Sequence, residues 1–293
     1  MLIKYALEDF SPVEVAFLQA AIGAVGVLAI VLAEGGRARQ ALGDIARRPL
    51  TALLLGALAI AAPFLLIALG ELSVPSGLAG VLVSSTPMFV AIFAPALDRS
   101  ATVNRRQVIG LVVGLLGVAL VVGVQSVSSL GQFLGALAIL AAAACGALSS
   151  FVVKLQYRDK GVPPSTTSLF SLAVGAALTL PVALVTADRE VPGARAVIAV
   201  IVLGLACTAL TFMLYYSLIA QVGEERAALG NYLTPIFALL YGVVLVGERI
   251  TIPAIVGLAL IIGGAEITLR GDSAKRAGGK AKAHEYRARP PLH

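Results

Sequence analysis

The sequence predicts an all-α polytopic membrane bundle of two inverted five-helix repeats, with nine spans present and the first helix missing. Three observations carry this reading: long uninterrupted apolar blocks, an alternation of basic residues between the stretches that join them, and an internal repeat.

The chain has 293 residues, 59% of them hydrophobic and 13% charged, and a mean hydropathy of +0.95. A water-soluble domain of this length could not bury that much apolar surface and still cover itself with charge. About 20 consecutive apolar residues cross a bilayer. Nine segments qualify: Val13–Ala33, Leu50–Leu72, Val74–Leu97, Val108–Val124, Phe133–Val153, Thr167–Ala187, Ala196–Ala220, Ala227–Val246 and Ile252–Leu269. The absence of alternating strand patterns excludes a β-barrel, and in lipid only helices then satisfy every backbone N–H and C=O. Met1–Phe10 carries Lys4, Glu8 and Asp9 without an apolar core, so it does not read as a signal peptide. Cys145 and Cys207 fall within spans and read as small packing residues, not as a disulfide or metal pair.

Orientation follows from the basic residues. If the C-terminal tail is cytoplasmic, the cytoplasmic stretches hold Arg37, Arg39, Arg47 and Arg48; Arg99, Arg105 and Arg106; Lys154, Arg158 and Lys160; Arg226; and seven in the tail. That is 18 of the 22 Lys and Arg, against Lys4, Arg189, Arg195 and Arg249 on the other side. Such a split is what the positive-inside rule requires.

The second half repeats the first, minus one helix. Gly56 through Phe89 aligns without gaps on Gly204 through Phe237, pairing Phe64 with Phe212 and Thr86-Pro87-Met88-Phe89 with Thr234-Pro235-Ile236-Phe237. Further on, Gly110 and Gly117 match Gly257 and Gly264, and Ser11-Pro12 echoes Pro163-Pro164-Ser165. This register divides the chain into a first half over 1–127 with four spans, a second over 128–270 with five, and a disordered basic tail over 271–293. The span without a counterpart should lie before residue 1, with Leu2–Tyr5 as its last turn, so the chain reads as truncated. Five helices per half make the two copies insert in opposite directions, the recurrent arrangement of alternating-access carriers.

The Thr-Pro-x-Phe segment, the Gly247-Glu248-Arg249 turn after it and the Gly-rich span that follows resemble the EamA type of the drug/metabolite transporter superfamily, over residues 3–270. The resemblance implies ten helices in two inverted repeats, both termini cytoplasmic, and export of metabolites such as amino acids from a bacterial cell. It further implies that the first helix, missing here, lines the central cavity. The first half also departs from the pattern in carrying Leu97-Asp98-Arg99 where Gly-Glu-Arg is usual.

The middle of every predicted span is free of Asp, Glu, Lys, Arg and His, while Glu14, Glu71 and Glu266 sit at span ends, where water and headgroups reach them. A charge held mid-bilayer costs at least ~2.5–3.5 kcal/mol, so a substrate must be met by hydroxyls, amides, rings and helix dipoles. Ser84, Ser85 and Thr86 precede Pro87; Asn231, Tyr232 and Thr234 precede Pro235. Proline removes an intrahelical hydrogen bond and opens the helix one turn upstream, and polar groups there form either a substrate notch or a helix-packing contact. Phe64, Phe212, Tyr215 and Tyr216 lie on the matched second and seventh spans and either stack on a substrate or pack the core. Gln19, the one amide in the first span, is the remaining candidate ligand; Ser149 and Ser150 rank below it. Gly110, Gly114, Gly117, Gly257, Gly263 and Gly264 read as close-approach surfaces between helices.

No cofactor, metal site or catalytic residue is expected: His284 and His293 are the two histidines, both in the tail, and no Gly-rich phosphate loop exists. The expected partners are a small-molecule substrate and the bilayer, with a homodimer left open; the basic tail reads as a topogenic anchor, not a nucleic-acid site. A lipid or lipid-linked-sugar flippase and a non-transporting membrane scaffold are the alternative functions.

Overall fold

The computed structural model describes residues 1–34, 43, 49–97, 105–126, 129–157, 163–186, 191–222, 237, 244, 252–253, 255–264 and 266–267. Every regular element among them is a helix. A short helix α1 (Leu2–Ala6) leads into α2 (Pro12–Glu34). Then come α3 (Pro49–Glu71), α4 (Ser76–Val83), α5 (Thr86–Leu97), α6 (Arg105–Ser126), α7 (Leu130–Tyr157) and α8 (Pro164–Thr186). A long helix α9 covers 194–222 and α10 covers Ile255–Gly264.

The two 23-residue helices α2 and α8 both open on a proline, whose missing N–H falls where the helix has no partner to offer anyway. At α2 the start is closed by a capping box: the Ser11 N–H donates to Glu14 Oε2 at 2.7 Å and the Glu14 N–H to Ser11 Oγ at 3.3 Å. Five described helical stretches are long and apolar enough to cross a membrane: Pro12–Glu34, Pro49–Glu71, Leu130–Val153, Pro164–Thr186 and Ala194–Leu218. These match five of the predicted spans to within a few residues. The predicted span Val74–Leu97 arrives as two helices, α4 and α5, because the helix breaks at Ser84–Ser85. The predicted span Ala227–Val246 lies outside the described residues apart from Phe237 and Val244.

The core divides into two main clusters. One joins α2, α3, α8 and α9 through Ala20, Val27, Ile60, Leu172 and Ala209. The other joins α4, α5, α6, α7 and α10 through Leu82, Met88, Val118, Ile139 and Ile261. Each cluster therefore takes helices from both ends of the chain. A small third contact, Leu55 with Val153 and Tyr216, bridges α3, α7 and α9. Around the outside, Val25, Leu116, Leu184, Val185 and Leu214 are among many exposed large apolar residues, a surface that belongs in lipid.

Contacts between helix ends respect the predicted alternation of sides. Ser165 Oγ donates to Glu34 Oε2 at 2.5 Å, joining two ends assigned to the same face. On the opposite face, the Gly193 N–H donates to Asp9 Oδ2 at 2.8 Å, Ser73 Oγ donates to the Gly131 carbonyl at 2.9 Å, and Arg195 pairs with Glu8 at 3.5 Å while lying 3.8 Å over the Tyr5 ring.

Two expectations are corrected. Glu71 is not at a water-facing span end: it is buried, accepts a 2.8 Å hydrogen bond from Ser76 Oγ and lies 3.9 Å from the Met1 ammonium. Cys207 is not a packing residue: it is exposed on the outer face of α9, while Cys145 is half-buried.

The opening turns of α8 bury Ser165, Thr166, Thr167, Ser168 and Ser171. Three of these return their protons to the helix, Thr167 to the Pro163 carbonyl, Ser168 to that of Pro164 and Ser171 to those of Thr167 and Ser168. Thr166 Oγ1 is fully buried and has no hydrogen-bond partner among the described residues. An unsatisfied buried hydroxyl costs about 1–3 kcal/mol, so Thr166→Val, which keeps the shape, should raise the unfolding temperature in detergent or leave it unchanged. A clear fall would show that this oxygen has a partner in the membrane.

Candidate functional site

The helices meet in pairs that an exchange of repeat-equivalent residues converts into one another. In α6 and α10, a Cβ added at Gly117 would stand 2.7 Å from the Gly257 carbonyl oxygen, and one at Gly264 would collide with the Gly110 carbonyl oxygen and stand 2.5 Å from the Gly114 nitrogen. Gly110 is equivalent to Gly257 and Gly117 to Gly264, so one contact is the image of the other. The earlier residue of one helix faces the later residue of the other, so the two helices cross antiparallel. The same holds elsewhere. Counted from their opening prolines, Gly23 in α2 and Gly175 in α8 occupy the same position. A Cβ on Gly23 would lie 3.2 Å from the Gly204 carbonyl oxygen, and one on Gly175 lies 3.2 Å from that of Gly56; Gly56 and Gly204 are themselves equivalent. Without a Cβ at these positions, backbones approach closely enough for dispersion to hold helices that the hydrophobic effect does not drive together in lipid.

The aromatic residues also pair across the repeat. Phe64 of α3 and its equivalent Phe212 of α9 touch edge-to-face, with centroids 6.2 Å apart. Phe212 packs against Tyr216 at 5.7 Å, and Tyr216 lies 6.0 Å from Tyr215. Tyr216 is buried, and Phe64, Phe212 and Tyr215 are half-buried. The four residues read from the sequence as stacking or packing groups thus form one connected cluster joining α3 to α9.

The hydroxyls before Pro87 are committed to their own helix. Ser84 Oγ donates to the Val81 carbonyl at 2.5 Å, Ser85 Oγ to that of Leu82 at 2.6 Å and Thr86 Oγ1 to that of Val83 at 2.7 Å. Pro87 has no N–H to give the Val83 carbonyl, and Thr86 supplies the replacement. With their protons spent, these oxygens retain lone pairs and can only accept. Ser85 is fully buried, while Ser84 and Thr86 are half-buried. Across from them, Gly146 of α7 places its missing Cβ 3.8 Å from Thr86 Cγ2, and Ser149 and Ser150 both donate to the Gly146 carbonyl.

Gln19 is buried in α2, and its backbone carbonyl oxygen lies 3.2 Å from the position of a Cβ on Gly204, which places its backbone at the α2–α9 contact. Asn231, Tyr232, Thr234 and Pro235, together with the Gly247-Glu248-Arg249 turn, lie outside the described residues. Among the described residues, no group of three or more His, Cys, Asp or Glu could hold a metal ion.

Sequence reading missed one feature. Within α3, residues Gly56–Ala61 form a π-helix, and within α9, residues Leu203–Leu210 do the same. The two segments begin within one residue of the equivalent glycines Gly56 and Gly204. In α3 the signal was Pro63, two residues beyond the segment.

Comparisons with known proteins agree with this architecture. The chain matches the EamA-like transporter family over residues 1–123 and 133–270. It is 26% identical over 265 residues to the uncharacterized transporter YoaV of Bacillus subtilis, covering 88% of this chain and 87% of that protein. It is also 26% identical to an uncharacterized transporter of Archaeoglobus fulgidus, with 92% of each chain covered, and 28% identical to the uncharacterized transporter YdfC of Bacillus subtilis, covering 89% and 83%. One solved structure, described as a crystal structure of a protein, superposes with a TM-score of 0.64 over 91% of this chain and 90% of that one at 22% identity, which speaks to the fold. A multi-pass helical membrane protein whose apolar blocks, repeat and relatives agree in this way belongs to the EamA-like transporter family.

Proposed function

We propose that the protein exports a small metabolite, such as an amino acid or related compound, by alternating access between two inverted halves, 1–127 and 128–270. The C-terminal tail then lies in the cytoplasm of a bacterial cell, as the 18-to-4 division of basic residues requires. The observation that carries this reading is the exchange of contacts between equivalent glycines on antiparallel helices, since inverted repeats place a substrate site near the midplane, where the copies meet. The substrate site lies between the two core clusters. Phe64 and Phe212 face it from one, with Tyr215 beside them at the small contact that bridges α3, α7 and α9, and Ser84 and Thr86, as acceptors, from the other. Asn231, Tyr232 and Thr234, before Pro235, complete it from the segment that the repeat makes equivalent in sequence to Ser84–Pro87.

Two experiments test the proposal. Reporter fusions at residue 270 and within 37–48 should report the cytoplasm, and fusions near 128 and 190 the exterior; an exterior signal at 270 would overturn the orientation. Efflux from proteoliposomes loaded with labelled amino acids, screened by competition, should identify a substrate. Asn231→Ala and Tyr232→Ala should then each raise the half-saturating concentration about tenfold, the worth of one lost hydrogen bond. Pro235→Ala should lower the rate. Unchanged kinetics in all three would move the site away from that segment, and movement of labelled lipid without metabolite competition would favour a flippase.

A further inference from the structure

A π-helix carries one residue more per turn than the backbone prefers, is rare, and persists where something holds it open. The described residues hold two, at equivalent places, each followed within three residues by one member of the Phe64–Phe212 pair. Different residues hold them. In α3, the ring of buried Pro63 would clash with the carbonyl four residues earlier, that of Ala59, and cannot donate to it; widening the turn at Gly56–Ala61 relieves both problems. In α9 the residue equivalent to Pro63 is Thr211. There, Thr208 Oγ1 donates across five residues to the Leu203 carbonyl at 2.8 Å, matching the π register with a side chain. Both segments press through a glycine onto a neighbouring helix: a Cβ on Gly56 would stand 2.9 Å from the Gly175 nitrogen, and one on Gly204 2.7 Å from Ile22 Cβ. The same departure from α geometry, produced by proline in one half and threonine in the other, means that the geometry is shared where the residues are not.

We infer that the two π segments are paired hinges, and that Pro63 and Thr208 are positioning residues that keep them open. Tightening a π turn to α rotates everything beyond it relative to the glycine contact that anchors the turn. Exchange between the two forms, in opposite sense in the two halves, would swing Phe64 and Phe212 past each other and bend α3 and α9 where kinks are commonly made. This inference rests on the alternating-access reading.

The test uses the full chain in lipid nanodiscs, with Cys145→Ala and Cys207→Ala, and spin labels on cysteines at Leu130 and Val191, both strongly exposed at ends assigned to the exterior. Hydrogen exchange is followed in parallel. The parent should show two label–label distances, and exchange faster at 56–62 and 203–211 than in the flanking turns. Pro63→Ala should slow exchange about tenfold in the first segment only, and Thr208→Val in the second only, as local opening becomes rarer. The double variant should collapse to one distance, and Thr208→Ser should restore the second. Unchanged exchange in the variants would show that Pro63 and Thr208 do not hold the π turns. Two persisting distances despite slowed exchange would show that the turns are not hinges. A single distance in the parent would overturn alternating access itself, together with the hinges that depend on it.

Discussion

Gly264→Ala is expected to lower the unfolding temperature in detergent by about 5 °C, while Gly263→Ala, one residue away, leaves it unchanged. The contrast comes from what each new methyl meets. At Gly264 it lands on the Gly110 carbonyl and the Gly114 backbone, 2.5 Å from the nitrogen and 2.8 Å from the Cα; at Gly263 nothing among the described residues lies within 4 Å. Backbone cannot rotate away as a flexible side chain can, so α6 and α10 must separate. Overpacking of this kind costs about 1–3 kcal/mol, and each kcal/mol moves the midpoint of a large domain by roughly 2–4 °C. Two adjacent glycines in one helix share propensity and distance from the chain end, so propensity cannot account for a difference. Equal effects at the two positions would remove the close crossing of α6 and α10 on which the inverted relation rests.

Phe212→Ala is expected to destabilise the fold by about 3 kcal/mol, the low end for a buried phenylalanine because this ring is half-buried. Phe64→Ala should act on the same cluster. The double variant should therefore lose about 0.5–1.5 kcal/mol less than the sum, the worth of an edge-to-face pair beyond its buried area. Thermal unfolding of the four proteins closes the cycle. In the same proteoliposomes, Phe212→Ala should also slow transport, because its ring faces the proposed site. Strict additivity would mean that the rings contact the bilayer rather than each other.

Much of the fold was legible in the sequence because lipid imposes a simple rule: each crossing helix must carry a long apolar run. Val13–Ala33 and Thr167–Ala187 accordingly mark α2 and α8 to within a few residues. The repeat register was legible because glycine is needed wherever two backbones touch, and Gly110, Gly117, Gly257 and Gly264 touch as that register requires. Side-chain partners were less legible. The sequence shows that Ser84, Ser85 and Thr86 stand before a proline but not that all three hydroxyls turn back onto Val81, Leu82 and Val83, since a hydroxyl serves a freed carbonyl and a ligand equally well. Glu71 reads as water-facing from its place at a span end, and hydropathy does not encode its burial beside Ser76 and the Met1 ammonium. The π segments were hidden because their residues, Gly-Ala-Leu-Ala-Ile-Ala in α3, are as apolar as any ordinary span. Pro63 was the one mark in α3, and α9, with Thr211 at the equivalent position, carries no proline there.

Alternating access is tested most directly by asking from which side a residue at the proposed site can be reached. Ser84→Cys, in a chain with Cys145→Ala and Cys207→Ala, places one thiol at the break between α4 and α5. A membrane-impermeant thiol reagent is applied to right-side-out and to inverted vesicles. The experiment is then repeated with Asp9→Cys and Gly193→Cys added and oxidised, closing a pair of exterior ends already joined by a 2.8 Å hydrogen bond. The prediction is reaction from both sides in the unlocked protein and from the cytoplasmic side alone in the locked one, with exterior reaction restored by reduction. Reaction from the exterior with the lock closed, or from neither side in the unlocked protein, would contradict alternating access.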